Sequence, residues 1–359
     1  MQGPDIASKT LPELRTYLEG KREKPFRGEQ VFRWIHDRCA ITYAEMTDLS
    51  KEFRASLQRG QPLRQPVISE EAVASDGTRK MRYLLADGLE VEGVYMPETE
   101  RRTLCVSTQV GCGMGCAFCA TGTMGLARNL SAGEIVGQVE TVVRGMREGG
   151  LERPVSNVVF MGMGEPLANL DAVVAAVEIL LEPKGLGLSR RHITVSTCGL
   201  VNAIPEFVHR CPAKLAISLN ATTDDCRDRL MPVNKRFPLR ELMDCCRNLP
   251  LGHTDRITFE YVLIGGVNDS MDDARRLLEL MRGVRCKINQ IPLNPYPESP
   301  FQRPAEARVS EFQEYLVARA LSVFVRKSRG DSLQGACGQL VVRPPGGGVP
   351  EGQKRTEGE

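Results

Sequence analysis

Three cysteines, Cys112, Cys116 and Cys119, stand in a C-x3-C-x2-C array inside VGCGMGCAFCATG. Thiolates this close together can bind three iron corners of a cubane iron–sulfur cluster. The fourth iron is then left open to a substrate or cofactor, as a catalytic zinc keeps one position open. The competing readings are a structural zinc site and buried thiols without a ligand. Structural zinc needs four ligands. The nearest further donors are Cys105 upstream and His192 downstream, so the spacing favours the open cluster.

A second set of residues falls where strands are expected to end. Gly164 and Glu165 follow VVFM in the string MGMGEP. Ser196 closes one apolar run, Ser218, Leu219 and Asn220 close another, and Asn294 lies in PLNP. Parallel β/α folds build their sites at the carboxyl ends of strands. Singly, each of these residues reads as turn chemistry; on one face with the cysteines, they point to a ligand site. Gly162-Met163-Gly164 lacks the third glycine and the following helix of a dinucleotide fingerprint. It is expected to let backbone approach a ligand, with Glu165 holding an ammonium or hydroxyl group. Ser196, Ser218, Asn220 and Asn294 would bind a carboxylate and a ribose.

Strand–helix alternation must position these groups. Six apolar, β-rich runs stand out, at 103–109, 156–161, 192–197, 214–219, 257–264 and 286–292, with helical patterns between them. In SAGEIVGQVETVVRGM, Ser131 and Glu134 make a capping box, and Ile135, Val139, Val142 and Met146 line one face. The fold class is α/β, with a parallel sheet that is doubly wound or curled into a partial barrel. Residues 1–64 read as a helical accessory domain, with Leu11, Leu14 and Leu18 on one face and Val31, Phe32 and Ile35 on another. Residues 65–98 read as a β-hairpin region with Asp-Gly turns at 76–77 and 87–88. Residues 99–330 form the main domain. Residues 331–343 form a loop containing Cys337, and 344–359, rich in Gly, Pro and charge, read as disordered.

With 359 residues, 42% hydrophobic and 26% charged, the chain can bury a full core. It shows no secretory leader and no apolar run long enough to span a bilayer, so a soluble cytoplasmic protein with no membrane partner is expected. Its twelve cysteines read as ligands, reactive thiols and small core residues rather than a disulfide scaffold. A net charge of +2 neither demands nor excludes nucleic acid. Lys21, Arg22, Lys24 and Arg27, interleaved with Phe26, Phe32 and Trp34, form a candidate RNA-contact segment.

The strings CVSTQVGCGMGCAFCATG, NVVFMGMGEPLAN, SLNATTDDCRDRLMPVN, INQIPLNP and ACGQL resemble the RlmN/Cfr family of radical S-adenosylmethionine (SAM) adenine methyltransferases. The resemblance runs from about residue 10 to 341. It implies a partial (β/α)6 radical SAM barrel with a small N-terminal, mainly helical domain and a short β-hairpin extension. It also implies a [4Fe–4S] cluster on Cys112, Cys116 and Cys119, and SAM, two per turnover, on Gly164, Glu165, Ser196, Ser218, Leu219, Asn220 and Asn294. Asn220 stands where some members carry His. Cys337 matches the methyl-carrying cysteine, Cys105 its partner in a transient disulfide, and Glu92 a proton acceptor. The implied reaction is methylation of carbon 2 of adenine 2503 in 23S rRNA and of adenine 37 in tRNA. Further implications are an electron donor such as flavodoxin and a monomeric state. Two alternatives remain at this point: methylation of carbon 8 of the rRNA adenine, and a non-catalytic zinc-containing RNA-binding protein.

Overall fold

A computed structural model of the chain describes residues 5–296, 299–326, 333, 335 and 338–342. Cys337 and residues 344–359 lie outside the described residues. Three helices open the chain: α1 (Leu11–Glu19), α2 (Pro25–His36) and α3 (Lys51–Gly60). The expected apolar faces are the buried ones, with Leu14, Leu18, Val31, Phe32 and Ile35 fully enclosed. Phe32 therefore belongs to the core, tilted against His36 with ring centroids 4.4 Å apart, and is not part of the surface aromatic set. Phe26 is half exposed, and Arg38 lies 4.0 Å over the Trp34 ring.

The chain then enters a ten-stranded sheet. Its first strands, β1 (Val67–Val73), β2 (Arg79–Leu84) and β3 (Glu90–Pro97), form an antiparallel meander. Gly77 and Gly88 take the left-handed conformations that the Asp-Gly turns require. This segment exceeds a hairpin: β3 pairs antiparallel with β4 (Arg102–Cys105), so the meander extends the main sheet.

From β4 the sheet is parallel. The order runs through β7 (Asn157–Phe160), β8 (Ile193–Thr197), β9 (Lys214–Ser218), β10 (Ile257–Leu263), β11 (Cys286–Pro292) and β12 (Val323–Val325). Crossovers carry α4 (Ala132–Glu148), α5 (Leu170–Leu181), α6 (Ile204–Arg210), α7 (Asp224–Leu230), α8 (Leu239–Asn248), α9 (Met271–Leu280) and α10 (Glu306–Val317). The six expected strands are all present. The seventh, β12, has only three residues, too few for a periodic signal.

Ser131 caps α4 together with Glu134, as the sequence predicts, and the helix buries Ile135, Val136, Val139, Val142 and Val143 against the sheet. Each such side chain contributes about 1.5–3 kcal/mol of apolar burial. The accessory domain docks on this helix. Buried His36 Nδ1 lies 2.6 Å from Glu140 Oε1, and Gln65 Nε2 donates to Glu140 Oε2 at 2.8 Å. Strand alternation leaves Cys105, Val159, Thr194, Lys214, Glu260 and Asn289 on the concave face, which lines a cavity of about 880 Å³.

Candidate active site

The first parallel strand ends earlier than the sequence pattern suggests. β4 stops at Cys105, and residues 109–129 form a separate two-stranded hairpin, β5 (Gln109–Cys112) with β6 (Gly125–Asn129). Cys112 closes β5 opposite Gly125, so Cys116 and Cys119 lie in the hairpin loop. Gly111 is forced by this geometry: its φ is +76°, and a Cβ there would stand 2.0 Å from the Gly125 carbonyl oxygen. The loop is tied down where Ala117 N–H donates to the Leu230 carbonyl at 2.9 Å.

The three thiols are half-buried and feel one another's charge. Burial pushes Cys112 up to about 11, with Cys119 and Glu165 adding to the effect. Burial raises Cys116 as well, and Cys119 and Cys112 raise it further. Cys112 and Cys116 hold their protons at neutral pH until a metal centre displaces them. Among the described residues, no three His, Cys, Asp or Glu side chains converge tightly enough to hold a single metal ion. One zinc would draw its sulfurs to about 2.3 Å from a common point. A cubane presents a separate iron to each of three thiolates. Three half-buried cysteines on one loop supply that donor set.

The MGMGEP turn packs against the start of this hairpin. Thr108 and Gln109 N–H groups both donate to the Met163 carbonyl, at 2.8 and 3.2 Å. Gly164 has a φ of +103°, and a Cβ there would meet Gln109 Cβ at 2.6 Å. The glycines therefore admit the chain's own residues 106–109, where the sequence suggested a ligand. Glu165 is buried beside the triad. Its Oε1 accepts the Leu167 N–H at 3.0 Å and its Oε2 the Cys198 N–H at 2.7 Å. Burial pushes this carboxyl upward, and the Cys198, Thr197 and Leu167 donors oppose the shift.

Ser196 and Ser218 end β8 and β9 on the concave face, by parity with Thr194 and Lys214. Asn220 is turned instead into the fold. Its Oδ1 accepts the Val262 N–H at 2.8 Å, and its carbonyl accepts from Asn268 at 2.7 Å. A φ of +55° for this non-glycine residue suits Asn. Leu219 is fully buried, and its carbonyl accepts from Arg227. Asn294 lines the cavity beyond the end of β11, and Arg303 donates to its Oδ1.

Cys105, at the carboxyl end of β4, also lines the cavity. Glu92 does not. Its Oε2 lies 2.9 Å from Lys80 Nζ and accepts the Val341 N–H at 2.9 Å. The chain end near Cys337 is held at further points. Ala120 N–H donates to the Gly338 carbonyl at 2.6 Å, and Thr121 Oγ1 donates to the Leu340 carbonyl at 2.6 Å. Gln339 Nε2 donates to the Pro295 carbonyl at 3.1 Å. Ala120 and Thr121 directly follow Cys119, so the cysteine loop and the segment after Cys337 are one hydrogen-bonded unit.

Sequence reasoning missed Arg227. This fully buried guanidinium donates to the carbonyls of Leu219, Cys198 and Ser218 and to Asn234 Oδ1. It fixes the backbone at two strand ends at once. The signal was an arginine in an otherwise cappable short helix, which reads as surface. Cys198 was likewise unassigned, and it adjoins both Glu165 and Cys116.

A curled parallel sheet with an open cysteine triad beyond its first strand defines a radical SAM fold, and residues 106–278 match the model of the radical SAM superfamily. Residues 5–61 match the ribosomal RNA large subunit methyltransferase N-terminal domain. The dual-specificity RNA methyltransferase RlmN of an Anaeromyxobacter species is 51% identical over 94% of this chain and 91% of its own length. That of Geobacter sulfurreducens is 46% identical over 96% and 95%. The crystal structure of a radical SAM methyltransferase from Sphaerobacter thermophilus superposes with a TM-score of 0.89 at 44% identity, covering 94% of this chain and 99% of that one. The chain belongs to the RlmN family.

Proposed function

We propose that this chain is a dual-specificity RNA methyltransferase that methylates carbon 2 of adenine in 23S rRNA and tRNA. The observation that carries the reading is the joining of the cysteine loop to the segment after Cys337, beside a cavity lined by both Cys105 and Leu340. Cys112, Cys116 and Cys119 would hold a [4Fe–4S] cluster, with SAM at the strand ends formed by Gly164, Glu165, Ser196, Ser218, Leu219 and Asn294. Asn220 would act there through the backbone it fixes.

Carbon 2 of adenine lies between two ring nitrogens and is too electron-poor to attack a methyl group. When bound, the cluster and SAM supply the one-electron chemistry that displacement cannot provide. The protein's part is positioning and thiol chemistry. Cys337 would carry the methyl group as a thioether. The thiolate of Cys105, facing the cavity, would attack the Cys337 sulfur of the thioether that joins it to the adenine; the sulfur–carbon bond breaks, the carbon leaves with the electron pair and takes up a proton to become the methyl product, and the disulfide forms. Glu92 remains a proposed proton acceptor, and its contacts add an anchoring role. The alternatives of carbon 8 methylation and a zinc-containing binder have no observation in their favour: the relatives are named as RlmN methyltransferases.

Among the described residues, no helix is long and apolar enough to cross a membrane. A monomer acting in the cytoplasm with a flavodoxin-type electron donor completes the reading. The test is to load the protein with iron and sulfide, add unmodified 23S rRNA or tRNA with SAM and a reductant, and identify the nucleoside by mass spectrometry and NMR. The expected product is 2-methyladenosine; 8-methyladenosine, or no product from cluster-loaded protein, would overturn the proposal. Cys116→Ala should lose the iron–sulfur absorption, whereas Cys337→Ala should keep it and lose methyl transfer.

A further inference from the structure

Four cations gather at the amino ends of the strands, where the cavity opens: Arg101 before β4, Arg191 before β8, Lys214 at the start of β9 and Lys287 in β11. Strand register shows why they converge. Thr258 pairs with both Ala216 and Lys287, so Lys214 and Lys287 share the concave face with one strand between them. At about 4.8 Å per strand their backbones stand roughly 10 Å apart across the sheet, within joint reach of two long side chains. No hydrogen bond or ion pair engages any of these four side chains among the described residues; Lys287 has only the Phe324 ring, at 6.0 Å. Acids are fewer than cations here: among the described residues Glu98 and Glu260 line the same cavity, Glu260 close enough to feel Lys287 and Arg326, and Asp255 near Lys214 lies against Arg190. Burial holds the Lys214 ammonium below the usual lysine range, and Lys287, Arg101 and Arg191 hold it lower still. The excess of positive charge in one cavity favours an anion joining it.

Further in, Glu260 is 4% exposed and lines the same cavity. Its Oε1 accepts from Asn289 at 2.8 Å, while its Oε2 has no partner among the described residues. A buried, unsatisfied oxygen aimed into a cavity is a site for a hydrogen-bonding ligand. The register also measures the span to the thiol. Cys105 pairs with Val159, Val159 with Thr194, and Thr194 with Lys214. Lys214 is thus in the same row as Cys105, three strand spacings away, about 14 Å along the sheet and less across its concave side. A phosphate held at Lys214 keeps its own base within reach of Cys105.

We propose that Arg101, Arg191, Lys214 and Lys287 form a phosphate subsite at this mouth, through which a nucleotide of the RNA enters with its sugar or base against Glu260 and Asn289. The proposal rests on the RNA substrate proposed above. The shared chemistry is a phosphate monoanion or diester, and free nucleotide is the other source to distinguish.

The test uses cluster-loaded protein and the unmodified RNA that the wild type methylates. Affinity is measured by fluorescence anisotropy between about 50 and 200 mM salt for wild type, Lys214→Gln/Lys287→Gln, the charge-keeping Lys214→Arg/Lys287→Arg, and Arg240→Gln as a distant exposed control. Loss of one or two phosphate contacts should lower the log–log salt slope by about 0.7 to 1.8. The Gln pair is expected to show that loss at unchanged cluster content and thermal midpoint, with Arg retaining the wild-type slope and Arg240→Gln having no effect. An unchanged slope and affinity in the Gln pair, with wild type still methylating the RNA, would overturn the phosphate subsite alone. Failure of the wild type to bind or methylate any RNA would overturn the functional reading and this subsite with it. Should adenosine monophosphate bind wild type and not the Gln pair while RNA affinity is equal in both, the site serves a free nucleotide and the RNA assignment is wrong.

Discussion

Replacing Glu92 by Gln separates an anchoring carboxylate from a proton acceptor. Glu92 is 3% exposed, and the Lys80 side chain beside it retains 15% exposure. Removing one member of a buried ion pair costs about 3–5 kcal/mol because the remaining charge is left without compensation. Lys80 keeps some solvent, and the new amide oxygen can still accept from Val341. A loss of about 2–3 kcal/mol follows, or roughly 3–4 °C in thermal midpoint for a chain of this size. Lys80→Met should cost a similar amount, since it leaves Glu92 buried with only the Val341 N–H. The double variant should recover part of the loss, giving a coupling of about 2 kcal/mol. Hydrogen exchange at the Val341 amide reports the anchor directly and should accelerate in Glu92→Ala far more than in Glu92→Gln. Methylation by Glu92→Gln should then fall with the ordering of the chain end and remain measurable. Complete loss of turnover with trapped protein–RNA crosslink, at wild-type stability and unchanged Val341 protection, would refute the anchoring argument and leave proton transfer as the role.

Three further outcomes follow from the packing. Arg227→Met should destabilise by about 3–5 kcal/mol, because three carbonyls and Asn234 lose a buried donor together; calorimetry checks this, and a loss under 1 kcal/mol would contradict it. Gly164→Ala, forced to positive φ and against Gln109, should weaken iron retention by disturbing the hairpin base, read as iron per chain after gel filtration. For Asp273, burial raises the carboxyl, and donors from Ser270, Thr222 and Arg276 more than compensate, leaving it below 3.8. A depressed carboxylate contributes stability above its unfolded pKa and loses it as pH falls through the folded value; Asp273→Asn should therefore flatten that part of the acid limb in pH-dependent unfolding.

The sequence made the barrel legible because its strands are long, apolar and separated by capped helices. Both Asp-Gly turns and the Ser131 cap formed as read, since local chemistry decides them. The hairpin that carries the cysteines was not legible. Its strands are four and five residues long and include Gly111, Gly125 and Asn129, so period and propensity are both silent. In the site, the cysteines and Glu165 were found by spacing and motif. Asn220 shows the limit: a polar residue at a strand end reads as ligand-facing, yet its side chain completes the β10 ladder. Glu92 reads as a strand residue of either face, and only tertiary pairing reveals that it reaches Val341, 249 positions away.

The order of the chain near the cysteines has a mechanical consequence. Cys119 is followed at once by Ala120 and Thr121, whose hydrogen bonds hold Gly338 and Leu340. Any group bound by the triad fixes Cys119, hence these two donors, and hence the start of the segment that leads back to Cys337. Glu92 and Pro295 hold the same segment from the opposite side. Three of the four contacts use backbone groups of the segment and tolerate side-chain change there, whereas the contact to Pro295 depends on the Gln339 side chain. In the proposed reaction the Cys337 thiol meets both the cofactor and Cys105, so the fixed points on either side of it matter. Gly338, in the left-handed region, supplies the turn next to Cys337, and the hydrogen bonds supply one fixed end. The ordering of residues 338–341 is therefore coupled to the cysteine loop through backbone hydrogen bonds.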